Sequence, residues 1–309
     1  MMKNTTSFSQ QDIKILLSQY AIGEYISSSL FELGSEQTTL LITTSKGNYV
    51  LKYYENRSEK HVHFECSLLK YLRRNNIPVS SIITNISGSD MSMFNNHPFV
   101  LSAFIEGTHP NDPKIMLNKS QIFEVVKTIA NFHNIIVNYR PDYLFDREIF
   151  SLEYCMREFC SRTNNSERID WMKKEIEDLQ LPEFLPKGIC HADLSFSNIL
   201  IQNNSITGIL DFDMSHFTFL IYDIASLLYW WAWAPQKGVI PERAKIIVQE
   251  YVKKRSLTKE EMYHIYDALK FITLLGIAWS EEKDYESNKQ TVEFLNSIGR
   301  EQFYIFTTS

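Results

Sequence analysis

The sequence lacks several features that would assign it to a specialised class of protein. Its four cysteines, Cys66, Cys155, Cys160 and Cys190, do not have the short paired spacings of a zinc site or a secreted disulfide framework, which predicts reduced thiols. Apolar stretches such as residues 271–279 are much shorter than a membrane span needs, and no basic start followed by an apolar segment opens the chain. We therefore expect a cytoplasmic protein without a membrane partner.

An excess of basic residues is also missing. Lys and Arg total 31 against 37 Asp and Glu, which gives a formal net charge of −6. Because proteins that bind nucleic acid neutralise phosphates with clustered basic side chains, this balance argues against DNA or RNA as a partner. A chain of 309 residues that is 44% hydrophobic and 22% charged has the composition of an ordinary globular enzyme.

The first third of the chain is rich in predicted strands. Residues 40–44 and 49–54 are β-branched and aromatic runs on either side of turn-forming residues 45–48, which predicts a β-hairpin. Residues 62–74 have the apolar spacing of a helix, and residues 99–105 predict a further strand. Together these elements predict a small strand-rich N-terminal lobe at residues 1–105.

The rest of the chain is mainly helical. Helix-like periodicity occurs at residues 122–136, 150–162, 169–179, 221–234, 244–255 and 260–279. The exception is a strand pair between Ile199 and Asp213. The predicted architecture is α+β, with a small β-rich N-lobe and a larger helical lobe at residues 106–309.

One short segment concentrates polar residues that suit metal chemistry. The sequence HADLSFSNIL followed by ITGILDFD contains Asp193, Asn198 and Asp211. If residues 199–202 and 206–210 pair as a hairpin about a turn at Asn204 and Ser205, Asn198 lies opposite Asp211, with Cβ atoms about 4.5–5.5 Å apart. An amide oxygen and a carboxylate that close are suitable ligands for one magnesium ion.

Phosphoryl transfer needs a metal for the phosphates, a cation on the nucleotide and a base that orients the acceptor. Strand alternation in YVLKYY puts Val50, Lys52 and Tyr54 on one face, and Lys52 is the candidate cation. Glu65, on the helix that follows, is placed to form an ion pair with it. A strand lysine paired with a helix glutamate is the arrangement of kinase nucleotide sites.

Several motifs in order resemble one superfamily. The His-x-Asp-x-x-x-x-Asn loop and the following Asp motif, the helix that ends at His133, the Asp223-Ile224-Ala225 element and the segment NNIPVSSII are all similar to those of the aminoglycoside phosphotransferase, choline kinase and type II homoserine kinase superfamily. The resemblance covers roughly residues 30 to 235. It implies a protein-kinase-like fold and an ATP- and Mg²⁺-dependent kinase that phosphorylates a hydroxyl group of a small molecule.

The resemblance also implies roles for individual residues. They are Asp193 as catalytic base, Asn198 and Asp211 as magnesium ligands, Lys52 as the phosphate-binding lysine, Glu65 as its partner, and the backbone of Ala103 and Ile105 as adenine contacts. Two features depart from protein kinases. The loop at residues 34–39 has one glycine where protein kinases have three. Asp213 stands where protein kinases carry glycine, and the resemblance implies that it adds a contact to the metal or supports the residues that bind it.

Other polar and aromatic residues have a structural and a functional interpretation. We expect His191 and Asp223 to bind backbone near the catalytic loop. The aromatic cluster at Tyr229, Trp230, Trp231 and Trp233 fits core packing on a helix, or a cation–π site for an ammonium group. The acidic run at Glu281, Glu282, Asp284 and Glu286 fits a solvated helix end, or secondarily a clamp for a cationic acceptor.

The sequence favours a small-molecule kinase over two alternatives. The acceptors we expect carry an amine: homoserine-like amino alcohols, then aminoglycosides, then choline-like amino alcohols. A nucleotide-binding pseudokinase acting as an interaction module is the alternative from another class, and the catalytic set of residues argues against it. A protein kinase is disfavoured because no Ala-Pro-Glu element or usual activation loop follows Asp211.

Overall fold

A computed structural model of the chain describes residues 6–31, 37–110, 118–143, 145, 147–234, 238–280 and 285–308. The chain divides into two compact units. The first comprises Met1–Thr108, Asn138–Leu144 and Ile199–Asp213, and the second comprises His109–Val137, Phe145–Asn198 and Met214–Ser309. No helix among the described residues combines the length and the apolar character that a membrane crossing requires.

The elements are numbered here in chain order. The α-helices are α1 (Gln10–Leu17), α2 (Glu59–Arg74), α3 (Lys119–Ile136), α4 (Leu152–Arg162), α5 (Ser166–Glu177), α6 (Ile221–Leu227), α7 (Pro241–Val252), α8 (Lys259–Trp279), α9 (Tyr285–Ile298) and α10 (Arg300–Thr308). The strands are β1 (Tyr25–Leu30), β2 (Thr38–Thr44), β3 (Gly47–Tyr53), β4 (Ser92–Phe94), β5 (His97–Ala103), β6 (Lys187–Cys190), β7 (Ile199–Gln202), β8 (Ser205–Ile209), β9 (His216–Phe219), β10 (Trp233–Ala234) and β11 (Gly238–Val239).

The first unit is built on a five-stranded antiparallel sheet with strand order β1-β2-β3-β5-β4. The predicted hairpin is present as β2 and β3, which pair from Thr38 opposite Tyr53 to Thr44 opposite Gly47. Leu51 and Tyr53 of β3 are buried in the core that α1 and the sheet share. Since alternate strand residues face opposite ways, Lys52 lies on the other face of the sheet.

The hairpin of β7 and β8 also belongs to the first unit, and its register differs from the predicted one. The turn is Asn203-Asn204, with φ of 52° and 62°, one residue earlier than predicted. Asparagine tolerates this left-handed conformation, which two-residue hairpin turns require. With a further irregularity between Leu200 and Ile201, Ile199 pairs with Ile209, whereas the predicted register places it opposite Leu210.

The second unit is mainly helical, and most of its helices match the periodicity of the sequence. The predicted helices at 122–136, 150–162, 169–179, 244–255 and 260–279 correspond to α3, α4, α5, α7 and α8. The prediction of one helix at 221–234 is wrong. α6 ends at Leu227, residues 228–232 form a π-helical turn, and Trp233 turns into extended backbone as β10, which pairs with β11.

Candidate active site

Lys52 lies at the centre of an ion-pair network within the first unit. Its Nζ atom is 3.1 Å from Glu65 Oε1 and 3.0 Å from Asp211 Oδ1. The lysine side chain is 14% exposed, so these pairs form in a largely desolvated setting. Burial opposes the charge of Lys52, but the carboxylates of Asp211 and Glu65 outweigh it and raise the lysine pKa. The lysine is therefore held as a fixed cation.

Tyr54 completes the support of this lysine. The Tyr54 hydroxyl donates to Glu65 Oε2 at 3.0 Å, and Lys52 Nζ lies 5.0 Å from the centre of the tyrosine ring. Burial is the main cause that raises the pKa of Glu65, and Lys52 opposes it. Both carboxylate oxygens of Glu65 are thus bonded, Oε1 to Lys52 of β3 and Oε2 to Tyr54, the residue after β3. Strand alternation put Tyr54 on the Lys52 face but did not show that it binds Glu65.

Asp213 is held by two side chains from the start of α2 and the segment before it. Arg57 Nε donates to both carboxylate oxygens at 2.9 and 3.1 Å, and His61 Nε2 lies 3.4 Å from Oδ1. Burial opposes ionisation of Asp213, but the bond from His61 and the charges of Lys52 and Arg57 bring its pKa below the usual range. Arg57 and Asp213 are 156 residues apart in sequence, so no local pattern could pair them.

Two groups of side chains in the described part of the chain have the spacing of a metal site. One is His61, Glu65 and Asp213, and the other is His133, Cys190 and Asp223. In the first, Lys52 and Arg57 already neutralise the carboxylates. In the second, both imidazole nitrogens of His133 are engaged by protein groups. We therefore interpret both groups as internal polar networks.

In the second unit, Asn198 fixes the carboxylate of Asp193. Asn198 Nδ2 donates to Asp193 Oδ2 at 2.8 Å and to the Asp193 carbonyl at 3.0 Å. The nitrogen end of the amide therefore faces Asp193, which leaves the oxygen end as the chemically suited ligand for a hard cation. Sequence reasoning predicted roles for both residues but not this bond between them.

The backbone around Asp193 is held by Asp223, as expected. The two carboxylate oxygens of Asp223 accept hydrogen bonds from the backbone N–H groups of His191 and Ala192, each at 2.8 Å. Ala192 has φ of 69°, a strained conformation for a residue with a side chain, and its bond to Asp223 stabilises it. His191 is buried, and its Nδ1 accepts from the Asp193 N–H at 3.2 Å.

A second buried chain of hydrogen bonds fixes Asp223 itself. His133 Nε2 lies 2.9 Å from Asp223 Oδ2, and His133 Nδ1 is bonded to the Tyr251 hydroxyl. Since a carboxylate only accepts, the imidazole donates from Nε2 to Asp223, and its Nδ1 is engaged by the tyrosine hydroxyl. Burial opposes the charge on Asp223, but His133 and the loop N–H groups lower its pKa. The Tyr251–His133–Asp223 chain therefore ties α7 and α3 to the loop at residues 191–198.

The backbone groups predicted to bind adenine have different surroundings. The Ala103 N–H donates to the Ser81 carbonyl at 2.8 Å, and the Ala103 carbonyl accepts from Ser80 Oγ at 2.6 Å. A carbonyl has two lone pairs, so this oxygen can accept a second bond, whereas the N–H is already used. The Ile105 N–H makes no hydrogen bond to any described residue. It is therefore the better placed donor of the two residues.

The aromatic residues at positions 229–233 separate into buried and half-buried members. Trp231 and Trp233 are buried in the second unit. Tyr229 and Trp230 are half-buried, and the ring of Trp230 lies edge-on to Phe196, 6.0 Å between centres. Phe196, Tyr229 and Trp230, here called the aromatic wall, thus connect the π-turn with the loop at residues 191–198. Of the acidic run, Glu281, Glu282 and Asp284 lie outside the described residues, and Glu286 is exposed.

The family profile of the APH phosphotransferase enzyme family matches residues 28–251. The chain belongs to this family. Homoserine kinase of Bartonella tribocorum is 27% identical over 271 residues, which is 83% of this chain and 81% of the relative. Homoserine kinase of Rhodopseudomonas palustris (strain BisB5) is 25% identical over 268 residues, 83% of this chain and 79% of the relative.

Several solved structures show the same fold. The amicoumacin kinase hAmiN aligns with a TM-score of 0.70 at 16% identity, covering 97% of this chain and 94% of that one. A microcompartment-associated aminopropanol kinase aligns with a TM-score of 0.67 at 18% identity, covering 92% and 94%. The predicted protein-kinase-like α+β fold is confirmed, with a sheet-based first unit and a helical second unit.

Family membership also confirms the predicted reaction class. The protein is an ATP-dependent phosphotransferase of the small-molecule kinase type, with an alcohol group as acceptor. The pseudokinase alternative is not supported. The ion pairs of Lys52 and the hydrogen-bonded loop at Asp193 are the parts of the structure that fit this activity.

Proposed function

We propose that the protein transfers the γ-phosphoryl group of ATP, in a magnesium-dependent reaction, to the hydroxyl of a small acceptor that carries an amine. Homoserine-like amino alcohols are the first class, followed by aminoglycosides and choline-like amino alcohols. The observation that carries the proposal is a pair of preformed networks whose residue types suit phosphoryl transfer, one centred on Lys52 and one on Asp193. The acceptor class rests on the relatives and on the aromatic wall.

Within the first unit, the Lys52 network supports a nucleotide role. A desolvated lysine held by Glu65 and Asp211 presents a fixed positive charge without needing to reorganise when phosphate arrives. Asp211 has φ of 58°, and a strained backbone of this kind is typical of functional sites. Its side chain is 31% exposed, so a carboxylate oxygen is accessible to a hydrated cation.

Asp211 and Asn198 are the residues we propose as magnesium ligands. Both offer the hard oxygen atoms that magnesium prefers, and the assignment rests on the ordered motif together with the orientation of the Asn198 amide. When bound, the metal neutralises charge on the phosphates of ATP. We propose the Ala103 carbonyl and the Ile105 N–H as the adenine contacts, in keeping with their hydrogen bonding.

Asp193 is the proposed base. As the acceptor oxygen forms a bond to the γ-phosphorus, the bond from that phosphorus to the β–γ bridging oxygen breaks, and the acceptor proton passes to the Asp193 carboxylate. ADP leaves with the bridging oxygen. The Asn198 N–H group on Asp193 Oδ2 holds the carboxylate in one rotamer, which suits a group that has to orient a hydroxyl.

Two observations support an amine on the acceptor. The curated relatives are homoserine kinases over about four fifths of their length, and an aminopropanol kinase is among the structural neighbours. The aromatic wall offers half-buried ring faces next to the catalytic loop, and an ammonium group over such a face gains about 0.5–2 kcal/mol. A neutral polyol gains no such energy.

Product analysis tests the reaction directly. Purified protein is incubated with ATP, MgCl₂ and L-homoserine, 2-amino-1-propanol, kanamycin or choline in turn, and ³¹P NMR follows ADP and new phosphate-ester signals. We expect a phosphomonoester from at least one amine-bearing acceptor, and no signal above the NMR detection limit in the same time from the Asp193→Asn variant. ATP turnover to ADP and inorganic phosphate alone, with every acceptor, would contradict the proposal.

A further inference from the structure

Leu194 is the residue after the proposed base. Both of its backbone polar groups are bonded to side chains of one continuous helical segment, which consists of α6 and the π-helical turn that follows it. The Leu194 N–H donates to Ser226 Oγ at 3.0 Å, and Trp231 Nε1 donates to the Leu194 carbonyl at 2.9 Å. Ser226 and Trp231 are both buried. These bonds are formed away from water, so each peptide group depends on its single side-chain partner.

The same helical segment, through Asp223 of α6, also binds the residues before Asp193. Asp223 accepts from the N–H groups of His191 and Ala192, so its side chain and those of Ser226 and Trp231 bind the loop on both sides of Asp193. The three side chains are spaced by three and then by five residues. Three residues is the ordinary spacing for one face of an α-helix, but five is not.

The π-helical turn explains how a residue five positions after Ser226 reaches the same loop. A π-turn bonds residue i to residue i+5, which widens the helix by one residue per turn. The turn spans residues 228–232, between Ser226 and the end of the element, and contains Trp231. A continuous α-helix would rotate the Trp231 indole away from the side that carries Asp223 and Ser226.

We propose that the π-turn is a positioning device for the base, in which Trp231 and Ser226 fix the peptide groups of Leu194 and so set the direction of the Asp193 carboxylate. Trp231 acts here through the loop backbone and does not touch substrate. The inference rests on the proposed role of Asp193. It goes beyond core packing, which would need the indole ring of Trp231 but not its N–H group.

A double-mutant cycle tests the inference. Trp231→Phe keeps an aromatic ring but leaves the buried Leu194 carbonyl without its donor, and we expect kcat to fall roughly tenfold with the KM for ATP unchanged. In the Asp193→Asn background, the same substitution should change the residual kcat by less than about twofold, because the group that it positions is gone. Ser226→Ala, a smaller change, should show the same non-additivity.

Trp171→Phe is the matched control, since Trp171 lies on α5 in the same unit and packs edge-on against Tyr285. It should leave kcat unaltered. An unchanged kcat in folded Trp231→Phe and Ser226→Ala proteins, or equal losses in both backgrounds, would overturn the inference while the proposed base stands. Near-normal turnover of Asp193→Asn alone would instead overturn the proposed function.

Discussion

At the scale of single residues, the polar groups proposed for catalysis are each held by a neighbour before any ligand binds. Asn198 bonds to Asp193, and Glu65 and Asp211 bond to Lys52. Such preorganisation reduces the reorganisation needed during the reaction. The sequence predicted these residues from their types and order. It could not predict Arg57 and His61 on Asp213, because a contact over 150 residues leaves no local pattern.

The first prediction concerns Asp193. Asp193→Asn is nearly the same size, but its amide is a far weaker base, so we expect turnover to fall at least a thousandfold, within the general range for loss of base catalysis. ATP affinity, measured by calorimetry with MgCl₂ present, should stay within about twofold because this residue does not hold the nucleotide. A variant with near-normal turnover would refute the assignment.

The second prediction concerns Asp211. Asp211→Ala removes the main protein charge on the proposed metal, so magnesium should no longer strengthen ATP binding. Asp90→Ala is the matched control, since Asp90 also forms an ion pair with a lysine, Lys70, in the first unit. Titration of ATP with and without MgCl₂ by calorimetry should show a magnesium effect for wild type and Asp90→Ala only. The same magnesium effect in Asp211→Ala would exclude the ligand role.

At the scale of elements, the sequence predicted the type of most helices and strands but not two local departures from regular geometry. Apolar periodicity over 260–279 identifies α8, and alternation around residues 45–48 identifies the hairpin of β2 and β3. The register of β7 and β8 depends on which asparagines adopt positive φ, and Asn203, Asn204 and the neighbouring residues all suit a turn. The π-turn at 228–232 occurs together with the hydrogen bond from Trp231 to the Leu194 carbonyl. Apolar periodicity gives no sign of such a long-range bond and therefore predicted a continuous helix.

The third prediction concerns Asp223 on α6 and has a defined pH dependence. Asp223→Asn replaces a buried carboxylate that accepts from three donors, and we expect a loss of about 3 kcal/mol in the free energy of unfolding near neutral pH. The groups that face Asp223 are His133 from α3, Cys190 from β6, His191 from the loop and, through His133, Tyr251 from α7. Urea unfolding of wild type and variant measures the difference.

The sign of the pH effect follows from the lowered pKa of Asp223. Its stabilisation is complete above the ordinary aspartate pKa of about 3.9 and is lost as pH falls towards the folded-state value. The advantage of the wild type over Asp223→Asn should therefore shrink as the pH is lowered from 6 to 3. A difference that is constant or grows on acidification would contradict the ionised, hydrogen-bonded carboxylate.

At the scale of the whole molecule, an ordered set of motifs resembled one superfamily; the family match confirmed the family, and the structural neighbours confirmed the fold. The reaction class follows from that set because phosphoryl transfer needs few residue types in a fixed order. The acceptor follows less directly. Tryptophans that pack in the core and tryptophans that are partly exposed cannot be told apart from the sequence alone. Only the fold shows that Trp231 and Trp233 are buried whereas Trp230 is half-buried.

The fourth prediction, and the most direct test of the central claim, is a competition experiment. Equimolar L-homoserine, 2-amino-1-propanol, choline, kanamycin, glycerol and erythritol are mixed with limiting ATP, MgCl₂ and the protein, and mass spectrometry quantifies every phosphomonoester. Initial product ratios give relative kcat/KM values. An amine-bearing acceptor should exceed both neutral polyols by roughly two- to thirtyfold, which is the energy of a cation at an aromatic face, about 0.5–2 kcal/mol, expressed as a rate ratio. A neutral polyol phosphorylated in preference to every amine would contradict the account.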